Sequence, residues 1–164
     1  MAQPAEDSAT PFRRPDGRDA WRIRRATKDD AETIAEVYLS SFKATYDFPL
    51  AHTDDEVRAW VRDLLLPGTE MWLVADGPAT LGFLALGPET IEQLYVAPDS
   101  TGRGIGSSLV ALGQARRNQG LSLWTFQVNV GARRFYERHE FRVAEVTDGA
   151  GNEERQPDVR YVWP

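Results

Sequence analysis

Between Met71 and Val96 the chain carries three apolar runs of strand length, Met71 to Ala75, Leu81 to Leu86 and Thr90 to Val96, parted only by Asp76-Gly77-Pro78 and Gly87-Pro88. Turns this short leave no room for a crossover helix, so the runs predict an antiparallel meander. A meander exposes two faces, and the flanking segments supply helices to cover them. Thr27 followed by Asp29 and Asp30 reads as a helix start, and Ala31, Ile34, Ala35, Tyr38 and Phe42 then recur at helical spacing. Pro49 stops that helix, leaving Tyr46 to His52 as a loop. Thr53-Asp54-Asp55-Glu56 has the pattern of a capping box, ahead of a stripe of Val57, Trp60, Val61, Leu64 and Leu65 that Pro67-Gly68 ends.

A short strand is expected at Trp21 to Ala26. After the meander come a glycine-rich turn, a helix over Ser108 to Asn118, a strand Leu121 to Val128, a helix Gly131 to Arg138, and strands near Phe141 to Val146 and Val159 to Trp163. The order β-α-α-β-β-β-α-β-α-β-β requires helices on both faces of a mixed, mostly antiparallel sheet of about six to seven strands, an α/β (α+β) sandwich. A chain of 164 residues at 41% hydrophobic builds such a core as one domain, expected over residues 21–164. Residues 1–20, with their prolines and mixed charge, are expected to form a disordered tail.

The chain has no cysteine, and His52 and His139 stand far apart, so no spaced ligand set for a metal is present. The net charge of -6 argues against nucleic acid as a partner. No apolar run long enough to span a membrane and no apolar leader are present, so the expected compartment is the cytoplasm. Charge is uneven: Thr101 to Arg142 holds seven arginines against two glutamates. One half of the molecule therefore suits an anion and the other a cation, although solvated helix faces explain most single arginines.

The segment from Ile91 to Ser107, IEQLYVAPDSTGRGIGS, reads as a strand, a glycine loop and a helix start. Glycines let the backbone approach a ligand, and the free N–H groups of the helix start attract phosphate. Arg103 adds a guanidinium suited to phosphate oxygens. A Walker loop is excluded because no Lys follows the glycines, and the spacing Gly102-x-Gly104-x-Gly106 is not the GxGxxG of dinucleotide folds. A tight turn without a ligand remains the plain alternative.

The string Thr101-Gly102-Arg103-Gly104-Ile105-Gly106 resembles the pyrophosphate-binding motif of the GNAT superfamily of N-acetyltransferases, with Thr101 in place of the usual long polar side chain. A second stretch, Asn129 to Phe141, resembles the family's N-x-x-A-x-x-F-Y-x-x-x-G-F segment. Glu140 stands where glycine is usual, so the turn after this helix is expected to hold a residue at positive φ. The resemblance covers about residues 21 to 147. It implies transfer of an acyl group, most often acetyl, from acetyl-CoA to a primary amine by direct attack in a ternary complex, without a metal. It further implies that Thr101, Gly102, Arg103, Gly104, Ile105, Gly106 and Ser107 cradle the pyrophosphate. The backbone amides of Leu94, Tyr95 and Val96 would hold the cofactor arm and the oxyanion, and Tyr136 would serve the departing sulfur. Asn129 either caps its helix or bonds the arm, and Phe135 is expected to pack the helix on the sheet.

An alkylammonium must lose a proton before its nitrogen attacks. Strict alternation places Thr90, Glu92 and Leu94 on one strand face and Ile91, Gln93 and Tyr95 on the other. Some relatives carry a base carboxylate at the position of Thr90, so Glu92, one step along that face, is the candidate here, activated by an apolar cleft. The acceptor is expected between the first two helices, the loop Tyr46 to Thr53 and the late loop Asp148 to Asp158. The late loop holds four acids, and Asp54, Asp55 and Glu56 add three more. This predicts a cationic small-molecule or peptide amine. The rival class is a catalytically silent acyl-CoA-binding sensor or structural module, and transfer of a longer acyl group is a third reading. The C-terminal strand Val159 to Trp163 is an expected pairing edge for a homodimer.

Overall fold

The computed structural model describes residues 12–13 and 19–164, with side chains from Trp21 onward. The tail expected over residues 1–20 falls for the most part outside the described residues. β1 (Phe12–Arg13), β2 (Asp19–Arg25), β3 (Glu70–Asp76), β4 (Ala79–Leu86) and β5 (Ile91–Val96) form one antiparallel sheet in that order. The meander is therefore present as expected. β6 (Leu121–Phe126), β7 (Arg142–Thr147) and β8 (Asp158–Trp163) form a second antiparallel sheet in the order β6-β8-β7.

The two sheets meet at one point. Thr90 bridges Ser122 in parallel fashion, and the Ser122 N–H donates to Glu89 O at 2.9 Å. Beyond that contact no ladder joins β5 to β6, so the expected continuous sheet is in fact two sheets splayed from a shared corner, with eight strands among the described residues. The splay leaves the backbone edge of β5 open, which is what creates room for a ligand.

Helices cover both faces. α1 (Ala31–Thr45) and α2 (Asp54–Trp60) pack on Met71, Leu73, Phe83 and Ala85, while α4 (Ile105–Arg116) and α5 (Val130–Arg138) lie over Trp72, Val74, Leu84 and Leu86. Because both faces of β3 and β4 are buried, these strands read as unbroken apolar runs instead of alternating ones. Each large side chain so buried contributes about 2–3 kcal/mol of transfer free energy.

α2 begins as expected, with Thr53 Oγ1 accepting from the Glu56 N–H at 3.2 Å and Glu56 Oε2 accepting from the Thr53 N–H at 2.7 Å. It then continues through a π-helical turn, Val61–Leu65, into α3 (Leu66–Gly68). The wider turn widens the spacing of the buried stripe, so Val57, Val61 and Leu65 are buried and Leu64, expected among them, is 66% exposed.

Two arginines of the basic segment are structural. The Glu70 carboxylate accepts from Trp72 Nε1 and Arg117 Nη2, both at 2.9 Å, and pairs with Arg116 and with Arg25 at 3.5 Å. Burial alone would raise the Glu70 pKa; the bonds from Trp72 and Arg117 and the charges of Arg116 and Arg117 outweigh it and hold it low. The guanidinium groups of Arg25 and Arg116 stand over the Trp72 ring at 5.3 and 4.9 Å, pinning the end of α4 to the sheet.

β8 lies between β6 and β7, with ladders on both sides. The dimer edge expected at Val159 to Trp163 is therefore already consumed within the chain. No helix of the described residues is long and apolar enough to cross a membrane.

Candidate active site

The splay opens a cleft of about 1210 Å³, bounded by β5, the start of α4, β6, the start of α5, the end of α1 and the loop before β8. A second hollow, at Glu137, Glu140 to Arg142 and the C-terminus, measures about 390 Å³. Large, concave and bordered by an open strand edge, the cleft is the default ligand site.

At one end stands the glycine loop. Gly102 and Gly104 have φ of 75° and 79°, a region that favours glycine, and a Cβ on either would meet nothing within 4 Å. Backbone conformation, not crowding, thus demands glycine at both positions. Gly104 caps α4, and the first backbone bond of the helix runs from the Ser108 N–H to Gly104 O at 3.1 Å. The N–H groups of Ile105, Gly106 and Ser107 therefore point free into the cleft mouth. Gly106 has a different reason: its Cβ would come within 3.2 Å of the Phe135 ring, so it lets α4 and α5 close together. Phe135 is the packing residue it was expected to be.

Two expectations at this end need correction. Arg103 does not line the cleft, whereas Arg138 does. Arg138 lies one turn beyond Phe135 on α5, the face that approaches Gly106. The Thr101 hydroxyl donates to Pro98 O at 3.2 Å, tightening the loop, and so is not held ready for a ligand. Thr101 itself, with Gly102, Gly104, Ile105, Gly106 and Ser107, does border the cleft.

Along β5, strand parity divides the three expected amides. The Ala97 N–H donates to Leu81 O, and Tyr95 O lies within 2.9 Å of where a Gly82 Cβ would be, so the backbone groups of residues 95 and 97 face β4. Those of Leu94 and Val96 face the open edge. Tyr95 N–H is spent on the ladder with Phe83. Val96 O accepts from Ser41 Oγ at 2.7 Å, which ties α1 to the rim.

The expected alternation fails at Glu92. Leu86 pairs with Ile91 but Ala85 pairs with Gln93, so Glu92 is the extra residue of a bulge. Ile91 and Leu94 consequently share the core under α4, while Tyr95 turns to the core under α1. Glu92 is exposed, lies on the cleft and accepts a hydrogen bond from Thr90 Oγ1, so the apolar surroundings expected around it are absent.

Tyr136 is buried among Phe135, Phe141 and Tyr161 and borders the cleft. Burial, with a smaller contribution from Tyr46, pushes its phenol well above the ordinary tyrosine value. Asn129 takes the first of the two roles expected of it: its Oδ1 accepts from the Ala132 N–H at 2.9 Å, capping α5, while its Nδ2 donates to the Tyr46 hydroxyl at 2.9 Å. Its polar atoms serve the protein first. Glu140 has φ 68°, the positive value expected where the family has glycine. Glu140→Gly removes that strain, at an entropic cost in the unfolded chain, and should raise stability by about 0.5–1 kcal/mol, or roughly 1–4 °C in melting temperature by calorimetry. An unchanged or lower melting temperature would show that the turn carries no net penalty.

The other end is aromatic and acidic. Tyr38, Phe42 and Tyr46 of α1 and its following residue meet the loop before β8 across the cleft, and Tyr38 stands edge-on to Tyr95 with centroids 4.9 Å apart. Burial, then the charge of Glu154, pushes Tyr38 up to about 12. His52 Nε2 lies 2.8 Å from Glu153 Oε2, joining the loop after α1 to that before β8, and this contact raises the His52 pKa. No residue of α2 lines the cleft. Asp54 pairs with Lys43 at 2.6 Å and Glu56 closes the capping box, so these acids serve the helix and not the acceptor. Sequence reasoning missed Tyr38 and Arg138 as cleft residues, and reached Tyr46 and Glu154 only through the two loops expected around the acceptor, Tyr46 to Thr53 and Asp148 to Asp158. The aromatic spacing of α1 had marked Tyr38 only as core.

This geometry agrees with what the chain resembles. The profile of the acetyltransferase (GNAT) domain matches residues 67–143. An uncharacterised N-acetyltransferase of Archaeoglobus fulgidus is 33% identical over 148 residues, covering 80% of this chain and 99% of that one. The peptidyl-lysine N-acetyltransferase YjaB of Salmonella typhimurium is 33% identical over 132 residues, 77% of this chain and 88% of its own. Among solved structures, apo YjaB from Escherichia coli superposes with a TM-score of 0.73 at 24% identity, covering 87% of this chain and 97% of its own. The PaiA N-acetyltransferase of Thermoplasma acidophilum, solved in complex with coenzyme A, gives 0.66 at 20% identity, covering 87% and 99%. The chain belongs to the GNAT family and is an acyltransferase of the N-acetyltransferase type.

Proposed function

We propose that the protein transfers an acetyl group from acetyl-CoA to the primary amine of a cationic small molecule or peptide, by direct attack within a ternary complex. The observation that carries this reading is the cleft itself: free helix N–H groups at one end, an open strand edge along its length, the buried Tyr136 phenol on its wall, and phenols beside acids at the other end. The N–H groups of Ile105, Gly106 and Ser107 receive the pyrophosphate, with Arg138 as the nearby cation. The backbone groups of Leu94 and Val96 bond the pantetheine arm as a strand partner would. The bulge at Glu92 bends β5 where the thioester arrives. The peptidyl-lysine substrates named for relatives fit an acceptor of this charge.

The proton balance assigns the side chains. An alkylammonium loses two protons in becoming an amide nitrogen. Glu92, directly or through water, takes the first and passes it to solvent, which frees the lone pair to attack the thioester carbon. The second ends on the coenzyme A sulfur as the C–S bond breaks. Tyr136, kept protonated by burial, donates a hydrogen bond to the departing thiolate.

Calorimetric titration with acetyl-CoA tests the reading, with desulfo-CoA and NAD as controls for thioester and general nucleotide affinity. The expected result is saturable binding at about micromolar Kd, roughly -8 kcal/mol, selective over NAD. Absence of acetyl-CoA binding would overturn the proposal.

A further inference from the structure

Four carboxylates border the cleft, and three of them are engaged. Glu92 accepts from Thr90, Glu145 pairs with Arg160 at 3.4 Å, and Asp158 accepts from Thr147 and, at 2.9 Å, from Asn152 Nδ2. Glu154 has no hydrogen bond or ion pair with any described residue. It is only partly exposed, and the groups it acts on electrostatically are the phenols Tyr38 and Tyr95 and the imidazole of His52. His52 is already paired with Glu153, so the Glu154 carboxylate borders the cleft beside phenols with no cation bonded to it.

The loop that carries Glu154 is tightly built. Asn152 Nδ2 donates to Gln156 O at 2.7 Å, its Oδ1 accepts from the Gln156 N–H at 3.2 Å, and its own N–H donates to Gly149 O at 3.2 Å. A Cβ on Gly149 would run into the Gln156 backbone, and Arg155 is held at φ 55° with its guanidinium donating to Ala150 O at 2.8 Å. The carboxylate is thus presented by a closed ring of bonds on a segment that side chains alone would not order.

We propose that Glu154 receives the ammonium of the acceptor, placing it over the Tyr38–Tyr95 phenol pair, and so restricts the enzyme to alkylammonium acceptors. This rests on the acetyl-transfer reading. The aromatic face of Tyr38 suits the methylene stem and the cation, while Tyr38 and Tyr95, both neutral phenols, offer hydrogen bonds without a competing positive charge. An anionic acceptor would meet an unscreened carboxylate at the same place.

The test uses the full chain, acetyl-CoA and two probes, N-α-acetyl-lysine methylamide and 1,4-diaminobutane, with thiol release as the readout. Glu154→Gln should raise the amine KM about 30-fold while kcat at saturation and acetyl-CoA Kd change less than about threefold. Glu154→Lys should raise it further, and Glu154→Asp should recover part of the loss. The wild-type amine KM should rise with ionic strength, and that dependence should shrink in Glu154→Gln. An unchanged KM in Glu154→Gln, or equal losses in KM, kcat and acetyl-CoA affinity as a merely structural loop residue would give, overturns the inference. So does a wild-type enzyme that binds acetyl-CoA yet acetylates neither probe. Failure of the wild type to bind acetyl-CoA sinks the acetyl-transfer reading as well, and so is told apart from failure of the Glu154 assignment alone.

Discussion

Tyr136→Phe should lower kcat about a hundredfold, equivalent to roughly 2.7 kcal/mol of lost transition-state stabilisation, while acetyl-CoA Kd moves less than about threefold. The ring is held on three sides by Phe135, Phe141 and Tyr161, and phenylalanine keeps every one of those contacts. Only the hydroxyl leaves. Because burial holds the phenol far above its ordinary pKa, it is uncharged across the neutral range and able to donate. A donor aimed at charge that appears only as the C–S bond breaks contributes to kcat and not to ground-state binding. The pH profile should accordingly show no alkaline limb below about pH 10 from this residue. Unaltered turnover would reject the role. A matching loss of acetyl-CoA affinity would instead assign Tyr136 to positioning of the cofactor.

Gly104→Val should weaken acetyl-CoA binding by at least about 30-fold. The residue caps α4 at φ 79°, where a β-branched side chain costs roughly 2–3 kcal/mol. The chain will relieve that strain by moving the turn, and the turn aims the free N–H groups of Ile105, Gly106 and Ser107. Since a Cβ there would meet nothing in the protein within 4 Å, the fold is not crowded by the change. Calorimetry should therefore show a large loss of affinity with a melting temperature only several degrees lower. Gly68→Ala, also clear of neighbours but without positive φ, is the control and should leave affinity unchanged. Equal affinity in Gly104→Val would show that the helix start does not hold the phosphates.

Local chemistry was legible in the chain. Thr53 and Glu56 form the capping box that their spacing demanded, Pro67 and Gly68 close the helix, and the meander lies where its turns required. Glu140 adopts the positive φ anticipated from its place in the second motif, and Gly102 and Gly104 take the backbone angles that only glycine holds cheaply. Each of these follows from interactions within a few residues, which sequence records directly.

Readings that assumed regularity did less well. A single bulged residue at Glu92 reversed the side-chain faces of β5, and one π turn expelled Leu64 from the buried stripe. Both are one-residue offsets that depend on how the element meets its neighbours. Gly106 was right for an unexpected reason, since it makes way for Phe135. Arginine identity was equally mute: Arg116 and Arg117 turn to Glu70, Arg103 stays off the cleft, and Arg138 borders it.

Order of elements, helix caps, the glycine loop and the family are thus properties of the chain as written, because propensity, periodicity and local hydrogen bonding set them. The splay between β5 and β6, the pairing of β8 on both edges, and the meeting of Tyr38 and Tyr46 with Asn129 and Glu154 are not. They join segments distant in the chain, Tyr46 and Asn129 across 83 positions, brought together only when two cores pack on opposite faces of the sheet. Long-range burial selects one such arrangement from many that local rules allow, and the charge and shape of the acceptor end come from it.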